Sequence, residues 1–291
     1  MAIPSLRLPE NAPGALYVDS SCIDCDTCRR VAPGVFTQGP GYSYVQRQPR
    51  GAPEQLRAMM ALVACPTSSI GTEPKADARP AAAAFPEQIA PGISFCGYTS
   101  ERSFGAWSWL VERAGGNVLV DSPRAAGPLL AEIERRGGLA TMFLTHRDDV
   151  ADHEAIRSRF GCERVLHERD ITRDTASVER RLAGDDPIAL APDLVAIPTP
   201  GHTAGHAVLL WKETYLFTGD HLAYSKRRGG LIAFRDACWY SWTEQIRSME
   251  RLLDHRFEWV LPGHGSHWRA PSAGEMRQEL EKCVRWMKTR G

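Results

Sequence analysis

The chain has no excess of either charge: Lys plus Arg and Asp plus Glu number 35 each among 291 residues. Without a global positive field it has nothing to collect phosphate backbones or anionic lipid, so a nucleic-acid partner is not expected. It also lacks long hydrophobic runs. Met1 to Gly14 contains no apolar stretch of the kind that opens a secretion signal, and no later segment approaches the ~18 apolar residues of a membrane helix. A cytoplasmic protein with no membrane partner is the expectation. Internal repeats and coiled-coil heptads are absent too, which removes solenoids and long zippers. What remains is a globular composition, 43% hydrophobic and 24% charged, in a chain long enough for two domains with a sizeable core.

Cysteine is unevenly spread. Four of the eight, Cys96, Cys162, Cys238 and Cys283, are scattered and read as small buried hydrophobes. The other four form Cys22-x2-Cys25-x2-Cys28 and a later Cys65-Pro66. Three thiolates converging from one tight loop, with a fourth returned before a proline, complete a site for a cubane cluster. In a two-cluster ferredoxin a further Cys-Pro would follow four residues after Cys28; Ala32-Pro33 stands there, so one cluster is expected. Leu56, Met59, Met60 and Val63 form a helical stripe leading into Cys65. The segment from about Tyr17 to Ile70 resembles the single-cluster 4Fe-4S ferredoxins, a resemblance that implies iron–sulfur; the same four thiolates could alternatively hold zinc. Such a cluster can carry electrons or simply staple a module too small for a large core.

Beyond Ile70 the composition changes. Gly71 to Gly92 is rich in Pro and Ala without helical or strand period, so the expected division is a module at 1–72, a linker at 73–92 and a larger domain at 93–291. From Ile93, strand and helix patterns alternate. Ser103 to Val111 and Asn117 to Asp121 flank a Gly115-Gly116 turn and predict a hairpin. Ala126 to Arg136 predicts a helix, and Leu139 to Thr145 a strand. Ser241 and Ser272 each precede a Glu by three residues, as in a capping box, and predict two late helices. Met276, Leu280, Cys283, Val284 and Met287 make a core-facing stripe on the last one.

A second set of metal-type residues lies in this larger part. Thr145-His146-Arg147-Asp148-Asp149-Val150-Ala151-Asp152-His153 follows an apolar strand. Pro200-Gly201-His202-Thr203, Phe217-Thr218-Gly219-Asp220 and Pro262-Gly263-His264-Gly265 come later, each at a strand end. Imidazoles and carboxylates so placed can hold two divalent ions, with Asp220 able to bridge them. The array resembles the metallo-β-lactamase superfamily, especially its glyoxalase II-like branch, across about Ile93 to Gly291. That resemblance implies an αββα sandwich behind a small α+β ferredoxin-like module. It implies metal ligands at His146, Asp152, His153, His202, Asp220 and His264, with Asp152 and Asp220 also catalytic.

The first motif departs from the family's His-x-His-x-Asp-His: two residues are added and the second His is missing. Either Asp148 serves as a ligand, or Asp148 or Asp149 caps the next helix by accepting its free amide hydrogens. A carboxylate in place of imidazole favours iron over zinc, with manganese also suited. Flavodiiron proteins, of the same superfamily, look loosely similar here. His206 and His221 are candidates for roles behind the ligands. Lys226-Arg227-Arg228 could meet an anionic substrate or form a solvated loop, and Trp239, Tyr240 and Trp242 could line a pocket or fill core.

Three functions follow. The first is a redox enzyme whose cluster, supplied by a reductase, feeds electrons to a non-haem iron or diiron site acting on a small molecule. The second is a metal-dependent hydrolase of a thioester, ester or lactam, with the cluster structural or used for docking. The third is a redox or iron sensor. The presence of an electron-carrying module places the first slightly ahead.

Overall fold

The αL conformation of Asp24 and Asp26, tolerated by Asp better than by most residues, coils the first cysteine loop so that successive cysteines turn inward. The computed structural model that shows this describes residues 2–290 and divides into two units: Met1–Ala140 with Ala151–Gly161, and Thr141–Val150 with Cys162–Gly291.

In the first unit, strand Leu16–Val18 pairs antiparallel with Ile70–Thr72, and Phe36–Gln38 forms a hairpin with Ser43–Val45. Buried Asn11 stitches the module: its amide donates to Leu8 and Val18 carbonyls, and its Oδ1 accepts from Val18 and Val45 N–H. Helices Thr27–Val31 and Gly51–Ala64 pack together. The second helix buries Ala58, Met60, Ala61 and Ala64, while Leu56 is 40% exposed. The expected Leu56 stripe is therefore rotated, because alanines permit the close approach that a leucine would block.

The expected linker, 73–92, is ordered. It contains helix Arg79–Ala82 and strand Glu87–Ala90, the latter antiparallel to Ile93–Phe95. Phe85 is the physical reason: fully buried, it meets Phe95 edge-on at 5.6 Å, and Phe95 stacks on Trp107 at 3.6 Å. An aromatic anchored in the core fixes the flanking Pro and Ala residues despite their lack of pattern. The antiparallel run continues through Trp109–Val111 and Val118–Val120, the expected hairpin, and ends in helix Gly127–Arg135.

The second unit contains parallel strands Thr141–Phe143, Glu163–His167 and Arg180–Leu182. It also has a six-stranded sheet in the order Ile188–Ala191, Leu194–Pro198, Ala207–Trp211, Tyr215–Gly219, Trp259–Pro262, Trp268–Arg269. Helices Trp242–Arg251 and Ala273–Lys288 begin at Ser241 and Ser272, whose hydroxyls accept the N–H of Glu244 and Glu275 at 3.2 Å. Met249 from one and Met276, Leu280 and Met287 from the other join Val208, Leu216 and Val260 of the sheet in one buried cluster. No helix among the described residues is long and apolar enough to cross a membrane.

Candidate metal centres

Cys22, Cys25, Cys28 and Cys65 are all free and line one recess with Val18, Ile23, Pro66 and Ile70. The Ser43 amide donates to Cys22 Sγ at 3.3 Å. Burial raises the thiols of Cys22, Cys25 (to about 11) and Cys28. Thiolates here are disfavoured without cations among them, and the irons of a cluster are such cations, so the donor set and its apolar surround fit a 4Fe-4S group.

The second centre follows from strand direction. Tyr215–Gly219 and Trp259–Pro262 are parallel, so their carboxyl ends lie together, and Gly263 N–H donates to Gly219 O at 2.9 Å. Asp220 and His264 thereby become neighbours. Leu194–Pro198 runs the same way, placing His202 at that edge. Ala207 N–H donates to Thr145 O at 2.8 Å, which brings His146 there as well. Gly201 is required at its position: a Cβ would stand 2.5 Å from Gln245 Cα, so a larger residue would push the His202 loop off helix Trp242–Arg251.

Asp220 Oδ2 lies 3.8 Å from His146 Nε2, 3.9 Å from His202 Nε2 and 3.7 Å from His264 Nε2. Asp148 Oδ2 lies 3.5 Å from His202 Nε2 and 3.9 Å from His146 Nε2. Among the described residues, His146/Asp148/His202 and His146/Asp149/Asp220 each bring ligand atoms within 4.8 Å of one another. Burial lowers the His146 pKa and keeps the ring neutral, as a ligand must be. Burial alone would raise the Asp220 carboxyl, but His264, His146 and His202 hold it below its usual value. The His202 hydrogen bond holds the Asp148 carboxyl down as well. Thr145 Oγ1 engages His146 Nδ1 at 2.9 Å, which leaves Nε2 facing the carboxylates. His146 Nε2 and Asp220 Oδ1 are buried without hydrogen-bond partners. Orphaned buried polar atoms are costly, and a divalent ion would satisfy them, so the residues fit a metal.

Asp149, considered with Asp148 as a possible cap of the next helix, is only 2% exposed and belongs to the second ligand group. Helix His153–Phe160 has Asp152 at its N-cap, and the Asp152 side chain makes no capping bond. Asp152 accepts the Ala125 N–H at 2.9 Å and lies 3.8 Å from Arg102 Nη1; His153 is buried. Neither Asp152 nor His153 is in the two ligand groups.

Sequence reasoning missed Asp170. Fully buried, it accepts from Arg147 N–H (3.1 Å), Thr203 hydroxyl (2.5 Å) and Gly205 N–H (2.7 Å), clamping the His146–Asp148 turn to the His202 loop. Its only sequence signal is its position just after strand Glu163–His167. His206 lies behind the ligands, its ring 5.2 Å from His146 and 5.4 Å from His221. Burial holds His206 well below its usual pKa and His221 at about 3, so both are neutral. Lys226-Arg227-Arg228 is an exposed hairpin tip, with Arg228 over Trp286. Trp242 fills core, whereas Trp239 and Tyr240 are exposed beside His202, the Trp239 ring 6.2 Å from it.

Residues 18–72 match the 4Fe-4S single cluster domain of ferredoxin I. The chain is 33% identical over 119 residues to a hydroxyacylglutathione hydrolase of Acidiphilium cryptum, covering 40% of this chain and 49% of that one. A hydroxyacylglutathione hydrolase of Rhodospirillum rubrum is 34% identical over 115 residues, covering 38% and 44%. The chain thus spans about half the length, or less, of these curated relatives. Among solved structures, DIM-1 metallo-β-lactamase exposed to ceftazidime aligns with a TM-score of 0.53 at 19% identity over 67% of this chain and 95% of its own. A metallo-β-lactamase from Pontibacter korlensis aligns with a TM-score of 0.50 at 19% identity, covering 67% and 97%. Two classes of protein therefore meet here: a single-cluster 4Fe-4S ferredoxin module and a metallo-β-lactamase fold. Residues 18–72 thus match a single-cluster 4Fe-4S domain, and about two thirds of the chain shares its fold with metallo-β-lactamases.

Proposed function

We propose that the chain is an oxidoreductase in which the 4Fe-4S module supplies electrons to a non-haem iron centre acting on a small molecule. The observation that carries this reading is the Asp148 carboxylate within 3.5 and 3.9 Å of two imidazoles, His202 and His146. Two histidines and one carboxylate with open positions make the ligand set of non-haem Fe(II) enzymes. Asp220, with His264 beside it, offers a bridge toward a second ion. When bound, iron would supply one-electron chemistry and a Lewis-acidic site for the substrate. The chain's own residues would do the rest. His146, His202 and His264 present Nε2 atoms, and Asp170 keeps two ligand loops in register. Trp239 and Tyr240 offer apolar surface beside His202 for a substrate. Asp152 and His153 remain candidate ligands on the family resemblance, and a reductase is the expected electron donor.

A second reading is a metal-dependent hydrolase of a thioester or ester, supported by the names of the curated relatives. Metal analysis with EPR on anaerobically purified protein separates the two. The redox reading expects iron beyond the cluster's four, reducible through the cluster. Stoichiometric zinc, with thioesterase activity that survives replacement of Cys22 and Cys65 by Ser, would overturn it.

A further inference from the structure

The carboxyl end of helix Gly51–Ala64 leads into the cluster ligand Cys65, and its last carbonyls are held by residues distant in sequence. Arg124 Nη2 donates to Val63 O at 2.9 Å and to Cys65 O at 3.4 Å, and Arg124 Nε donates to Thr99 O at 2.7 Å. The Thr99 hydroxyl donates to Ala64 O at 2.6 Å. All of these Arg124 hydrogen bonds go to backbone carbonyls and none to a carboxylate, so a half-buried cation sits against the cluster ligand. The same stretch covers Cys25. Thr27 Oγ1 donates to Gly105 O at 3.0 Å, and a Cβ on Gly105 would stand 2.8 Å from Cys25 Sγ.

The next residue points the other way. Ala125 N–H donates to Asp152 Oδ2 at 2.9 Å, and Arg102 fixes the preceding carbonyl, Ala151 O, at 2.8 Å. One dipeptide thus grips the cluster ligand by its guanidinium and Asp152 by its amide.

We propose that Arg124-Ala125 is an electrostatic and mechanical link between the 4Fe-4S cluster and Asp152, with Arg124 a positioning residue that stabilises the reduced cluster. Reduction adds one negative charge to the cluster without moving a proton or breaking a ligand bond. A cation held at Cys65 favours that charge, and the carboxylate of Asp152, one residue along, opposes it. The link lies within the first unit and is read at the cluster, so it holds whatever metal the second centre takes and whatever reaction it supports.

The test is an EPR-monitored redox titration of the cluster-loaded full chain, with dithionite as the one-electron reductant. Arg124→Gln is expected to move the midpoint potential negative by at least a tenfold change in the reduced-to-oxidised ratio, about 59 mV for one electron. Arg124→Lys, which keeps the charge, should restore most of that shift. Asp152→Asn, which keeps an acceptor for Ala125 N–H and removes the charge, should move the potential positive. In the double variant the two opposing shifts should partly cancel, leaving the potential between those of the single variants. A role limited to capping the helix predicts a lower melting temperature with unchanged potentials, and that result would overturn the proposal. If Arg124→Gln does not retain a cluster, Asp152→Asn decides: a positive shift supports the link, and an unchanged potential rejects it.

Discussion

Three aspartates compete for the place left by the altered first motif, and Asp148→Ala separates them. Asp148 and Asp220 together give a dication beside His146 and His202 two negative charges, and removing Asp148 halves that compensation. Loss of a group that merely hydrogen-bonds to a ligand already weakens metal binding about 10–100-fold. Removing a direct ligand should reach the upper end, ~100-fold or ~2.8 kcal/mol at ~1.4 kcal/mol per tenfold. The Asp148 side chain is 45% exposed, so the fold should hardly notice, with a stability change within about 0.5 kcal/mol. Asp149 differs: only 2% exposed, its replacement should reduce both metal affinity and stability. The measurement is competition between the cluster-loaded protein and a chromophoric chelator for Mn(II) or Zn(II), so that cluster iron does not enter the count. Thermal melts of Asp148→Ala, Asp149→Ala and Asp152→Ala accompany it. Unchanged affinity in Asp148→Ala, with the loss appearing in Asp152→Ala, would refute the argument and restore the family's usual ligand order.

Asp170→Asn should weaken metal binding about 10–100-fold without touching a ligand, because one amide oxygen cannot accept all three donors; unaltered affinity in the same competition assay would remove the clamp. Glu179→Gln tests the buried Arg164, whose side chain is 2% exposed and makes two 3.0 Å contacts with the carboxylate; the expected cost is about 2–3 kcal/mol, below the fully buried range because Glu179 is partly solvated. Hydrogen bonding from Arg164 pushes the Glu179 carboxyl from 4.5 down to about 2. This stabilisation is therefore fully present above about pH 4.5 and lost as pH falls toward about 2, so urea unfolding of wild type and variant should converge across that window.

The sequence by itself determined the parts that depend on local spacing. Cys22, Cys25, Cys28 and Cys65-Pro66 specify a cluster because ligand number and loop length are properties of a short segment. The helix starts at Ser241 and Ser272 were legible because a cap is a contact between residues three apart. His146, His202, Asp220 and His264 could be picked out because each follows a strand, and the imidazoles lie 3.7–3.9 Å from the Asp220 carboxylate. Only tertiary structure decided the rest. Which aspartate meets the imidazoles depends on how a turn with Ala151 at φ 28° leaves its strand, and no periodicity encodes that. Phe85 ordered the expected linker through contacts with Phe95, and the buried face of helix Gly51–Ala64 was chosen by how closely its neighbour could pack. Asp170 and Arg124 carry no motif at all. Each acts on backbone groups distant along the chain, so each becomes visible only once folding has brought those groups to its side chain.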